Sequence, residues 1–196
     1  NVASVRPVFI WGAPGIGKTM ALRILCGRYG SRILAIEATD AWKDNPGAML
    51  GAILRALGNA SLPSGLVERL EKCQEQLAAP RRMIAIDEAH HLGPHCLNVV
   101  KTLINTTPCE FMLVAMQTLW AKLERTAYEE ARQISTNRLS ERIRFELTER
   151  DIAIYLGNAM GVAPAAMKAA AKMIRPAAVT AGNMSFVRDV TLALVK

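Results

Sequence analysis

The stretch Gly12-Ala13-Pro14-Gly15-Ile16-Gly17-Lys18-Thr19 constrains this chain more than any other. It follows an apolar run, Val8-Phe9-Ile10-Trp11, that reads as a buried strand. It opens into a helical pattern, Met20-Ala21-Leu22-Arg23-Ile24-Leu25. A strand, a glycine loop ending in Lys-Thr and a helix, in that order, make a phosphate-binding loop. Glycines let the backbone curl with its N–H groups inward, and the helix N-terminus adds partial positive charge. Lys18 is placed to reach the β- and γ-phosphates of a nucleotide, and Thr19 to set its hydroxyl on Mg²⁺. The cradle is expected to comprise Gly12, Ala13, Pro14, Gly15, Ile16, Gly17, Lys18, Thr19 and Met20.

A second motif lies downstream. Met83-Ile84-Ala85-Ile86 is an apolar run that ends in Asp87-Glu88. In an open parallel sheet, ligands sit at the carboxyl ends of the strands. Asp87 is therefore expected to hold Mg²⁺, directly or through water. Glu88 is the candidate general base that orients the attacking water. An acidic helix cap after a core strand is the plainer alternative, and the upstream glycine loop weighs against it.

Gln117 follows the buried run Glu110 to Met116. It stands either where a polar side chain touches the γ-phosphate or at an ordinary loop start. Residues 137–145 gather Arg138, Arg142 and Arg144. One of them reaching a neighbouring copy's nucleotide would neutralise transition-state charge. A solvated basic face is the competing reading.

The remaining pattern alternates strands and helices. Further strands are expected over 32–38 and 143–147, and helices over 48–57, 66–77, 95–104 and 119–130. The loop before the 48–57 helix carries Trp42, which reads as exposed. After Leu147 no strand pattern occurs. Helices are expected over 152–160, 165–174 and 185–194, with Pro176 ending the second. The chain thus predicts an α/β core over 1–147, with a parallel sheet flanked by helices, and a small all-helical domain over 148–196.

The chain has 196 residues, a net charge of +7 and 51% hydrophobic residues, which suits a globular fold. No apolar run approaches a membrane span, so no membrane association is expected. Asn1 leads quickly into the first strand, so no signal peptide is expected and the chain reads as cut from a longer protein. The basic balance suits a polyanion such as DNA. The excess is spread along the chain: residues 1–147 hold 18 basic and 14 acidic side chains, so no single basic arm stands out. The four cysteines form no CxxC pair and read as reduced cytosolic thiols. His90, His91 and His95 lack the His-Glu-x-x-His order, so they do not read as metal ligands.

The order of motifs resembles an AAA+ ATPase. Within that group it resembles the transposition ATPases typified by the B protein of phage Mu. The segment Ile84 to Gly93, with Asp87-Glu88-Ala89 and then His91-Leu92-Gly93, is similar to that family's strand and turn. Phe111 to Gln117 is similar to its next strand, with Gln117 at the sensor position. Arg138-Leu139-x-x-Arg142-Ile143 matches its RLxxRI element. One departure stands out: a lid glycine is often followed by G-x-x-R, but Gly182 is followed by Ser185 at that place. Arg188, one turn later, is the candidate substitute at the nucleotide.

The resemblance implies a slow ATPase that uses ATP and Mg²⁺ in the cytoplasm of a bacterial host. It implies self-association into an ATP-dependent helical oligomer on double-stranded DNA. It implies delivery of that DNA to a transposase, with DNA contacts from Lys43, Arg55, Arg69 and Lys72. The same core also serves secretion-system ATPases and helicase loaders.

Overall fold

A computed structural model of the chain describes residues 7–79, 82–129, 131, 134 and 141–194. Five strands form one sheet: β1 (Val8–Gly12), β2 (Ile33–Glu37), β3 (Met83–Asp87), β4 (Glu110–Ala115) and β5 (Glu141–Phe145), in the order β2-β3-β4-β1-β5. β1 pairs parallel with β4, β4 with β3, and β3 with β2. Parallel neighbours need long crossovers, and helices supply them. The crossovers include α1 (Lys18–Tyr29), α2 (Pro46–Ala56), α3 (Leu66–Leu77), α4 (Pro94–Thr106) and α5 (Thr118–Leu123).

The chain divides into two compact units. The first takes the described residues up to Trp11 and those from Thr19 to Ile143; the second takes Gly12–Lys18 and the described residues from Arg144 onward. In the first unit, Ile84, Ile86, Phe111 and Leu113 are wholly buried, as expected for inner strands covered on both faces. Helix α2 adds Met49, Leu50, Ile53 and Leu54, all fully buried. It starts sharply because Asn45 Oδ1 accepts the N–H of Ala48 at 3.0 Å, with Pro46 in the first turn.

The second unit packs α6 (Glu149–Met160), α7 (Lys168–Ala181) and α8 (Met184–Leu194) around Leu147, Ile152, Leu156, Ala171, Ala178 and Val187, with Ile16 against them. Helix α6 begins with a reciprocal cap. The Asp151 N–H donates to Thr148 Oγ1 at 3.2 Å, and the Thr148 N–H donates to Asp151 Oδ2 at 3.0 Å. This unit takes in the described residues from 148 onward together with Gly12–Lys18.

Local expectations changed in four places. Helix α7 runs through Pro176 instead of ending before it. Proline removes one intrahelical bond, but Ala171 and Ala178 lie on either side of it and both are fully buried in the same cluster. Packing therefore outweighs the loss. Trp42 is buried, not exposed, and its carbonyl accepts the Cys96 thiol at 3.7 Å. Over the described part of the helix expected at 119–130, α5 breaks off at Leu123 and a 3₁₀ turn follows over Thr126–Tyr128. The last strand ends at Phe145, because Leu147 is committed to the second unit's core.

Candidate functional site

Each unit carries part of the expected machinery. In the second, the glycine loop takes the backbone form that phosphate binding needs. Gly15 and Gly17 stand at φ 69° and 100°, a region that disfavours any side chain. Around Gly17 there is open space, and no atom lies within 4 Å of where a Cβ would be. The Lys18 ammonium is 3.0 Å from the carbonyls of both Gly12 and Ala13, and the residue is 7% exposed. The loop thus holds its cation at its own mouth. These features fit a polyphosphate.

Gly15 has a second neighbour. A side chain there would collide with the Gly182 carbonyl and come within 2.9 Å of Ser185 Oγ. Beside it, Asn183 Nδ2 donates to the Pro14 carbonyl at 3.0 Å. Asn183 is buried and left-handed, with φ 59°. The turn between α7 and α8 therefore rests on the glycine loop through Asn183. Arg188 is turned elsewhere: its Nε and Nη2 each lie 2.9 Å from Asp189 Oδ1. Sequence reasoning weighed Gly182 and Ser185 but gave Asn183, between them, no role. The signal was that Gly182 and Asn183 both tolerate positive φ.

In the first unit, the parallel register puts the carboxyl ends of β1, β3 and β4 on one edge of the sheet, with Trp11 opposite Ala115 and Ile86 opposite Leu113. Asp87 ends β3 and is 5% exposed. Its Oδ1 accepts the Glu88 N–H at 2.9 Å, and its carbonyl accepts the Ala38 N–H at 2.9 Å. Its carboxylate and the Thr19 hydroxyl are hard oxygen donors of the type Mg²⁺ takes. Glu88 is left-handed, with φ 52° and ψ 32°. Its Oε2 lies 3.3 Å from His90 Nδ1. The Lys122 ammonium donates to the His90 carbonyl, and burial lowers its pKa below the ordinary lysine value. Gln117 is exposed just before α5.

The arginines divide. The Arg142 guanidinium sits 4.5 Å above the Trp120 ring, whose other neighbour is Phe9 at 5.0 Å. Arg138 lies outside the described residues. Arg144 pairs with Glu146 at 2.9 Å on an exposed surface.

Of the four basic residues expected at DNA, Lys43 and Arg55 are exposed, while Lys72 is half-buried. Arg69 is structurally engaged. Its Nε donates to the Pro63 carbonyl at 2.6 Å and its Nη1 to that of Gly47 at 2.7 Å. Arg55 of α2 and Arg69 of α3 both approach Gly51 of α2. A side chain at Gly51 would meet Arg69 Nη1 at 3.5 Å and Arg55 Nη1 at 3.8 Å.

A sheet of this order with a phosphate-binding loop after β1 and an acidic pair after β3 defines a P-loop ATPase core. Residues 4–123 match the family model of the AAA domain, and the chain belongs to that family of AAA+ ATPases. No curated relative matches it. Among solved structures it is similar to the Aeropyrum pernix ORC2 protein in ADPNP–ADP complexes, at 15% identity and a TM-score of 0.66, covering 98% of this chain and 56% of that one. It is similar to the Aeropyrum pernix ORC1 protein in complex with DNA, at 18% identity and a TM-score of 0.54, covering 78% and 43%. It is similar to the Thermotoga maritima RuvB Holliday junction branch migration motor, at 16% identity and a TM-score of 0.55, covering 96% and 53%. The chain thus spans about half the length of these proteins. Among the described residues, no helix is long and apolar enough to cross a membrane.

Proposed function

We propose that this chain is an ATP-hydrolysing, sequence-nonspecific binder of duplex DNA that assembles head-to-tail on it and hands it to a transposase as target. The observation that carries the ATP part is Lys18, held at the mouth of a glycine loop by two of that loop's carbonyls. Lys18 takes the β- and γ-phosphates, and the amides of the loop take the phosphate oxygens. Thr19 and Asp87 hold Mg²⁺, which neutralises phosphate charge when bound. Glu88 accepts a proton from the attacking water, and Gln117 orients it. Arg138 or Arg142 of an adjoining copy supplies positive charge, and Arg188 reaches the nucleotide only on leaving Asp189.

The DNA part is supported by exposed Lys43 and Arg55, and by the Aeropyrum ORC1 and Drosophila ORC structures solved with DNA. Such side chains grip phosphates without reading bases. A head-to-tail interface that does not close yields a helical filament. The transposase as recipient rests on the Asp87-to-Gly93 and Arg138-to-Ile143 segments. Duplex DNA titrated with the protein in ATP, in ADP and without nucleotide tests the proposal. Tight binding is expected only in ATP, and equal affinity in all three would remove nucleotide-gated assembly.

A further inference from the structure

The turn after β3 gathers a donor set that phosphate chemistry does not use. Glu88 leaves the strand in a left-handed conformation that is strained for a non-glycine residue. Such strain clusters where a side chain must be aimed. The 3₁₀ turn Ala89–His91 follows and folds both imidazoles back toward the carboxylate. Glu88 Oε2 and His90 Nδ1 are 3.3 Å apart, and the His90 and His91 ring centroids are 4.3 Å apart. One donor atom from each of Glu88, His90 and His91 lies within 4.8 Å of the other two.

Asp40 completes the pattern from outside. Its Oδ1 lies 2.7 Å from His91 Nδ1. A carboxylate on Nδ1 fixes the proton there and leaves Nε2 with an open lone pair, the arrangement found behind metal-bound imidazoles. His90 is fixed too, because its ring is mostly buried and its carbonyl is held by Lys122. Two imidazoles and one carboxylate suit zinc and its first-row neighbours, not magnesium. Tetrahedral zinc separates its donor atoms by about 3.4 Å. The Glu88–His90 pair is already at that spacing, and half-exposed His91 places a donor within 4.8 Å of both.

We propose that Glu88, His90 and His91 form a binding site for a divalent transition-metal ion of the zinc class, with Asp40 orienting His91. The site lies within the first unit and needs no nucleotide. Where Glu88 is also the water-orienting base, which rests on the function proposed above, an ion there withdraws that carboxylate from catalysis. Zinc would then stop turnover without displacing ATP.

The test is a Co²⁺ titration of nucleotide-free protein followed by its visible d–d absorption, with Zn²⁺ as competitor. It is run in a Cys26→Ser background, because Cys26 is the one cysteine not fully buried. One equivalent of Co²⁺ should bind and be displaced by Zn²⁺. His91→Gln and Glu88→Gln should each weaken binding at least tenfold. Asp40→Asn should weaken it about tenfold, the low end for outer-shell partners. His95→Ala, at an exposed position in the first turn of α4, should change nothing. Absence of a saturable band, or equal affinity in His91→Gln and the parent, would overturn the site. Because nucleotide is absent, either result is independent of the ATPase reading.

Discussion

Asn183 donates a side-chain hydrogen bond of 3.0 Å to the carbonyl of Pro14, so a residue of the turn between α7 and α8 holds the glycine loop. Asn183 is left-handed, which Asn and Gly tolerate and Ala does not. Asn183→Gly should lose only the hydrogen bond, about 1 kcal/mol. Asn183→Ala should lose about 1–2 kcal/mol more through strain. Urea midpoints should therefore fall in the order parent, Gly, Ala. The reverse order of the two variants would mean that the backbone there is not left-handed.

Gly15 and Gly17 both have positive φ, but they differ in surroundings. Alanine at Gly17 meets open space, whereas alanine at Gly15 meets the Gly182 carbonyl and Ser185. Both variants carry strain of about 1–2 kcal/mol. Gly15→Ala should lose clearly more stability in thermal unfolding without nucleotide. Equal losses would show that the close approach is not maintained in solution.

Lys18→Ala should cost about 3 kcal/mol or more of nucleotide binding, over a hundredfold in Kd. Calorimetry with ATP would register this, and an unchanged Kd would refute the loop assignment. Glu88→Gln should keep ATP and slow hydrolysis roughly a hundredfold or more, the range for general-base loss. Unchanged turnover would exclude Glu88 as the base.

The basic residues should separate by role. Arg69 bonds two backbone carbonyls, so Arg69→Ala should lose about 1.5–3 kcal/mol of stability. Lys43→Ala and Arg55→Ala should leave stability intact. Each should lower the salt dependence of DNA binding by about 0.9 in log–log slope. Salt titrations that show no change for either would move the DNA surface elsewhere.

Burial pushes the Cys73 thiol up from its ordinary 9.0 to about 12, and Cys96 to about 11 with help from Asp44. The folded chain keeps these protons where an unfolded chain loses them. Their contribution to stability is therefore complete below pH 9 and drains as the pH climbs toward 11 and 12. A urea midpoint at pH 10.5 should lie below that at pH 8. In native protein, an alkylating reagent should reach Cys26 first, and rapid modification of Cys73 would contradict the packing.

The sheet was legible because the glycine loop and the Asp87-Glu88 pair each sit at the end of an apolar run, and a parallel sheet places such ends together. Pro176 misled because proline is read locally, whereas Ala171 and Ala178 hold α7 through contacts distant in sequence. Trp42 misled for the same reason: its polar neighbours say nothing of the core cluster it joins, or of Cys96 on α4, which meets its carbonyl. Two imidazoles after an acidic pair were read against one zinc spacing rule. Their convergence depends on the left-handed Glu88, which sequence periodicity does not reveal. Arg188 was chosen by spacing from Gly182, yet neighbouring Asp189 takes its guanidinium.

Strand β1 lies between β4 and β5, paired on both sides, with β5 the sheet margin beside it and β2 the far one. The glycine loop therefore springs from ladder on both sides. The β2 margin, with β3 and β4 between it and β1, is where an added strand, a crosslink or a bulky tag would be absorbed with least effect on nucleotide affinity.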